Sequence, residues 1–241
     1  MDLLVGTLVL RPYVFAFLAC FLAAGAIDLG WRRTLVFTAW VWPLAWLAEF
    51  ASTHIGVPFG LYHYTGLTRG RELYLANVPL MDSLSFTFLA YAAFCLARAA
   101  LGQRGPVTLA LTGGVLMMLL DVVIDPIAVR GDRWFLGRIF YYQDDGLYFG
   151  VPATNFAGWA VVGIGAIAGY LLLTRGSTGC RPAFGIALYY AVLAFNLAVT
   201  AWLGEWALVT LGLMLHIAAA AVLYAVRRWP AVGPGMESQK A

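Results

Sequence analysis

Apolar residues cluster along this chain in seven stretches, at 13–29, 35–53, 78–96, 107–124, 153–173, 184–203 and 206–226. Each is near the roughly 20 residues that a helix needs to cross a bilayer. The last two are separated by little more than Gly204-Glu205, which predicts a tight helical hairpin. The pattern predicts an all-α polytopic membrane bundle of about seven transmembrane helices. It forms one domain over residues 1–230, followed by a flexible tail at 231–241. The first stretch reads as a span rather than a signal peptide, because six more spans follow it.

Polar residues interrupt these stretches at one level. Asp121 and Asp125 stand four apart and share one helix face. With the chain threaded back and forth, Glu49, Asp82 and Asn155 fall at the same depth. An ionisable group inside a span is costly and marks a candidate functional site. Asp125 precedes Pro126, which predicts the end of its helix, with Asp121 one turn deeper. Each residue also has a plainer reading. The aspartates read equally as capping or helix-bridging carboxylates, and Asp82 and Asn155 as helix-start residues favoured by the dipole. Glu49 reads also as the partner of a loop arginine such as Arg69 or Arg133. Asn196 either reaches the pocket or bonds a neighbouring helix. His216, mid-span, reads as a core histidine, while His54 and His63 stand where either could relay protons.

Two loops are long, at 54–77 and 125–152, and rich in Tyr, Phe, Trp, Gly and Pro. They are expected to fold over the mouth of the bundle. They also resemble each other. Asp82 follows Pro79 by three residues and Asn155 follows Pro152 by three, while Glu49 precedes Pro79 by 30 and Asp121 precedes Pro152 by 31. This suggests a parallel duplication of a helix–lid–helix unit. The short loops on the opposite face carry Arg32, Arg33, Arg98, Arg104, Arg175 and Arg181. That bias predicts a cytoplasmic C-terminus and places Asp28 in a boundary ion pair with Arg32 and Arg33.

Composition supports the membrane assignment: 62% of residues are hydrophobic and 11% charged, against about 25% charged in soluble domains. The net charge of +3 forms no basic stripe, so no nucleic-acid partner is expected. Lys240 in the tail is the sole lysine, which excludes a retinal Schiff base within the bundle. Cys20, Cys95 and Cys180 have neither metal nor disulfide spacing, and three scattered histidines make no metal motif. No metal and no cofactor is expected.

What remains is a set of carboxylic acids walled by aromatic rings. Several carboxyls in one apolar site cannot all ionise comfortably, so one is expected to act as a general acid. Trp42, Trp46, Phe59, Tyr62, Tyr64, Tyr148, Phe149 and Trp159 are the candidate wall, with ring faces suited to a cationic intermediate. Asn155 and Asn196 are candidate substrate contacts.

The stretch Glu49…Gly56-Val57-Pro58-Phe59-Gly60-Leu61-Tyr62-His63-Tyr64…Asn77-Val78-Pro79 resembles the integral-membrane carotenoid biosynthesis hydratase family. So does Asp121-Val122-Val123-Ile124-Asp125-Pro126, followed by Trp134, Tyr148-Phe149-Gly150-Val151-Pro152, Asn155-Phe156 and Gly158-Trp159. This family includes bisanhydrobacterioruberin hydratase and the bacterial gamma-carotene 1'-hydratase. The resemblance covers roughly residues 35–175. It implies addition of water across the terminal 1,2-double bond of an acyclic carotenoid, to give a tertiary alcohol without a cofactor. The implied substrate is lycopene, gamma-carotene or a C50 precursor, in a bacterial or archaeal cytoplasmic membrane, with other carotenoid-pathway enzymes as possible partners. Catalysis would rest on Asp121, preferred as the proton donor, with Asp125, Glu49 and Asp82. Two rival readings stay open: a carotenoid end-group cyclase that shares the first protonation, and a proton-coupled transporter or pigment-binding protein.

Overall fold

A computed structural model describes residues 2–102, 104–144 and 146–228. The tail at 231–241 lies outside the described residues. The helices are α1 (Leu3–Leu10), α2 (Pro12–Asp28), α3 (Trp31–Ile55), α4 (Leu80–Leu101), α5 (Pro106–Ala128), α6 (Ala153–Leu173), α7 (Ala183–Trp202) and α8 (Trp206–Arg228). α3 to α8 are each long and apolar enough to cross a membrane. α1 and α2 qualify together as a seventh span, broken by a bend of 91°. The chain is a polytopic membrane bundle. α1 is an addition to the expected first span. Arg11 leaves helical backbone (φ −129°, ψ 47°) and Pro12 opens a new helix behind it.

α4 is the axis of the bundle. It packs on α2, α3, α5 and α7, and the small residues Ala90, Ala92, Ala93 and Ala97 are wholly buried against them. α8 lies at the periphery and turns Leu213, Met214, Ile217 and Val222 outward. α5 and α6 pack closely where Gly114 meets Gly163: a Cβ on Gly163 would stand 2.9 Å from the Gly114 Cα. These glycines serve close helix packing.

The two loops form one lid. β1 (Tyr62–Tyr64) from the first pairs antiparallel with β4 (Phe140–Tyr142) from the second, setting Tyr62 opposite Tyr142 and Tyr64 opposite Phe140. Between them in sequence, β2 (Tyr74–Leu75) and β3 (Val78–Pro79) form a hairpin, with Leu75 opposite Val78. The second loop repeats this turn with a bridge between Tyr148 and Val151. Ala76 (φ 57°) and Phe149 (φ 51°) both adopt left-handed backbone, each three residues before the proline that opens the next helix. The internal likeness read in the sequence therefore extends to backbone conformation.

Two local expectations are corrected. α5 does not end at Asp125 but runs through Pro126 to Ala128. Its last carbonyls are taken up by the lid: Arg130 Nη1 donates to the Pro126 carbonyl at 2.6 Å and Trp134 Nε1 to that of Ile127 at 2.9 Å. Asp28 pairs not with Arg32 or Arg33 but with Arg98, which lies inside α4. Tyr91, about two turns before Arg98 on the same face of α4, donates to Asp28 at 3.1 Å, and the Arg181 backbone N–H donates at 2.6 Å. This cluster ties α2, α4 and the α6–α7 loop at the end of the bundle away from the lid.

The lid is fastened by a buried ion pair. Arg11, at the α1–α2 break, reaches Glu72 through Nη2 at 3.0 Å and Nε at 3.2 Å, and donates to the Leu136 carbonyl at 2.6 Å. Both side chains are almost fully buried. Removing one partner strands a buried charge, at a cost of about 3–5 kcal/mol, whereas replacing both with apolar groups is far milder. Arg11→Met or Glu72→Met is therefore expected to lower the unfolding midpoint in detergent steeply, and the double variant to recover most of the loss. Additive losses in the double variant would contradict this role.

Candidate functional site

Five helix positions bring the polar residues to the lid end of the bundle. Glu49 comes from α3, Asp82 from the first turn of α4, Asp121 and Asp125 from the last turns of α5, and Asn155 from the first turn of α6. Pro79 and Pro152, in extended backbone, start α4 and α6 and so set Asp82 and Asn155 at matching depths. Among the described residues, none of the four carboxyls forms an ion pair. The lid supplies neutral donors instead. Tyr64 O–H donates to Asp82 Oδ2 at 2.6 Å and Tyr142 O–H to Asp125 Oδ2 at 2.7 Å. Asn155 Nδ2 donates to Asp121 Oδ2 at 2.7 Å. Burial, and then the neighbouring carboxyls, push the phenols of Tyr64 and Tyr142 well above the usual phenol range, so both stay O–H donors.

Two cavities meet at these residues. The larger, of about 90 Å³, is mostly apolar; its walls include Tyr13, Phe17, Trp134 and Phe195, with Asn196 at one side. Tyr13 and Phe195 stack at 5.2 Å between α2 and α7, and Phe17 meets Phe195 edge-on. The smaller, of about 30 Å³, is polar and lies beneath the lid, with Glu49, Tyr62, Tyr64, Tyr142 and Asn155 around it. Asp82, Asp125, Phe140 and Trp159 line both. Trp159 is held flat against Phe86 at 4.2 Å, and Phe59 packs against both rings. The lid segment at Pro58-Phe59 seats on Gly158 of α6, where a Cβ would stand 2.7 Å from the Pro58 carbonyl oxygen.

The structure brings together most, but not all, of the residues singled out in the sequence. Asp82, Asp125 and Trp159 stand between the cavities; Glu49, Phe59, Tyr62, Tyr64 and Asn155 line the polar one, and Asn196 the apolar one. Asp121 lines neither. It is wholly buried, its Oδ2 taken by the Asn155 amide and its Oδ1 without a hydrogen-bond partner among the described residues. Trp42 and Trp46 also miss the cavities. They lean on α4 and the lid hairpin, donating to Ser83 Oγ and the Leu75 carbonyl, each at 3.2 Å. Tyr148 faces a separate apolar recess beside Phe156 and Leu215, and the Phe149 ring lies by Arg130. Arg69 and Arg133 do not meet Glu49. Arg69 donates to the Ala76 carbonyl, and Arg133 pairs with Glu205. His54 bonds its own helix at the Phe50 carbonyl, and His63 packs on Tyr141 away from both cavities.

Sequence reasoning missed Tyr142, Phe140 and the apolar walls Tyr13, Phe17 and Phe195. The run Phe140-Tyr141-Tyr142 is conspicuous in the second loop, but only its pairing with β1 turns Tyr142 onto Asp125.

The lid thus aims phenols at carboxyls that have no cationic partner among the described residues, beside an apolar cavity. Residues 3–219 match the family model of the carotenoid biosynthesis protein, and the chain belongs to that family. It is 32% identical over 121 residues to the bisanhydrobacterioruberin hydratase of Haloarcula japonica, a match covering 49% of this chain and 38% of that protein's length. No solved structure matches.

Tyr142→Phe leaves Asp125 Oδ2 without its donor. The expected cost is about 1–3 kcal/mol of stability, read by denaturant unfolding in detergent. An unchanged midpoint would contradict the assigned hydrogen bond.

Proposed function

We propose that this chain is a carotenoid 1,2-hydratase, adding water across the terminal double bond of an acyclic carotenoid by acid catalysis. The observation that carries the reading is that Asp82 and Asp125 stand on the wall shared by an apolar cavity and a polar one. The hydratase name of the Haloarcula relative supports the same chemistry. An end group entering from the lipid between α2 and α7 passes Tyr13, Phe17 and Phe195 and reaches these carboxyls. The carotenoid's long polyene stays in the bilayer.

Asp125 takes the role of proton donor in place of Asp121, because Asp121 has no access to the alkene. Asp125 transfers its proton to carbon 2, and the new C–H bond takes the π pair. The tertiary cation at carbon 1 then lies against Trp159 and Phe140, whose ring faces favour positive charge. Tyr142 fixes one oxygen of Asp125 and so orients the carboxyl toward the cavity. Asp121 stands one turn behind it, held by the Asn155 amide. Asp82, fixed in the same way by Tyr64, takes up the proton released when water adds.

Expressed in a host that accumulates lycopene, the chain is expected to yield a pigment heavier by one water for each end group modified. Asp125→Asn should lower that yield by about 100-fold or more while the protein still accumulates in the membrane. A product of unchanged mass and altered absorption would replace the hydratase reading with that of a cyclase.

A further inference from the structure

Glu49 is the one site carboxyl that lines only the polar cavity, so it reaches the lid space and not the alkene. Only 3% of its surface is exposed, and among the described residues no protein group hydrogen-bonds its Oε2. A buried carboxyl oxygen without a partner is costly unless something else satisfies it. The space beside it has a volume of about 30 Å³, and one water needs about 10–15 Å³ with two to four polar partners. Asp82, Asp125, Tyr62, Tyr142 and Asn155 surround the same space and supply those partners. The other cavity is walled mainly by hydrocarbon, and the two share a wall made by Asp82, Asp125, Phe140 and Trp159.

We propose that the small polar cavity is the binding site of the reacting water, and that the Glu49 carboxyl is the group that holds this water toward carbon 1. The inference rests on the hydratase reading and assigns the second reactant its own compartment. Water stored behind the carboxyl wall meets the cation only after the alkene has been protonated. Its oxygen lone pair forms the C–O bond at carbon 1, and its surplus proton passes to Asp82. That proton returns to Asp125 across the shared cavity, so one water is consumed and no other reactant is needed. Glu49 positions the nucleophile and donates nothing to carbon.

This division predicts that protonation and hydration come apart when Glu49 is changed. The test uses membranes holding the full chain, an acyclic carotenoid and deuterated water. Glu49→Met keeps the length of the side chain and removes its oxygens. Hydration is expected to fall about 100-fold. The unhydrated carotenoid recovered should nonetheless carry deuterium, with its double bond in place or moved, because the cation still forms and collapses by losing a proton. Asp125→Asn should lose hydration and deuterium uptake together. Tyr62→Phe removes one hydroxyl from the polar cavity alone, and is expected to lower the ratio of hydration to deuterium uptake about fivefold. It keeps the test open should Glu49→Met fail to accumulate. Undiminished hydration in Glu49→Met overturns the water site. So does loss of deuterium uptake along with hydration in Glu49→Met, or an unshifted ratio in Tyr62→Phe. Failure of the unaltered chain to hydrate any acyclic carotenoid would instead overturn the hydratase reading itself.

Discussion

Three buried carboxyls and a half-buried one gathered at the lid end, with no ion pair among the described residues to neutralise any of them, are the constraint on which this structure turns. Such groups are tolerated only where hydrogen bonds replace water. Here the replacement comes from the lid for Asp82 and Asp125 and from a neighbouring span for Asp121. The pairing of β1 with β4 delivers Tyr64 to Asp82 and Tyr142 to Asp125, and the first turn of α6 delivers Asn155 to Asp121. The lid therefore completes the polar set as well as covering it. The Arg11–Glu72 pair, with its bond to Leu136, ties both loops to the α1–α2 break and keeps the phenols in place.

The same arrangement separates two environments. Rings from α2, α7 and the lid make one side apolar, while carboxyls, phenols and an amide make the other polar, and Asp82 and Asp125 belong to both. Adding water to a hydrocarbon requires a lipophilic reactant and water to meet at a proton donor, and a compartment for each limits unwanted contact beforehand. Membership of the carotenoid biosynthesis family and the likeness to a hydratase agree with that division of space. The matching turns at Ala76 and Phe149 each lead through a proline to a polar residue in the next helix, so both loops end on the same local plan. The second copy differs where it counts. Asn155 stands where the first copy has Asp82, so a carboxyl faces the cavities from α4 and an amide from α6.

Much of this was legible in the sequence, because hydropathy reports spans and an acid in a span is conspicuous. The level shared by Glu49, Asp82, Asp121, Asp125 and Asn155 followed from threading alone. Which of two acids on one helix face reaches a cavity did not. Asp121 and Asp125 share a face, yet the packing of α6 through Asn155 closes off the deeper one. Tyr142 escaped notice because its role depends on a strand pairing across more than 70 residues of chain, as its register partner Tyr62 shows. Trp42 and Trp46 share a helical stripe with Glu49 but lean on α4 and the lid hairpin and line neither cavity. Pro126 signalled a helix end, and side chains of the lid overrode that local preference.

The most direct test of the account is the source of the oxygen. Membranes containing the chain would be given an acyclic carotenoid in oxygen-18-labelled water, and the product analysed by mass spectrometry after chromatography. The account predicts a tertiary alcohol at the end group that carries oxygen-18. An oxygenated product without the label, or one that has gained no oxygen, would contradict it.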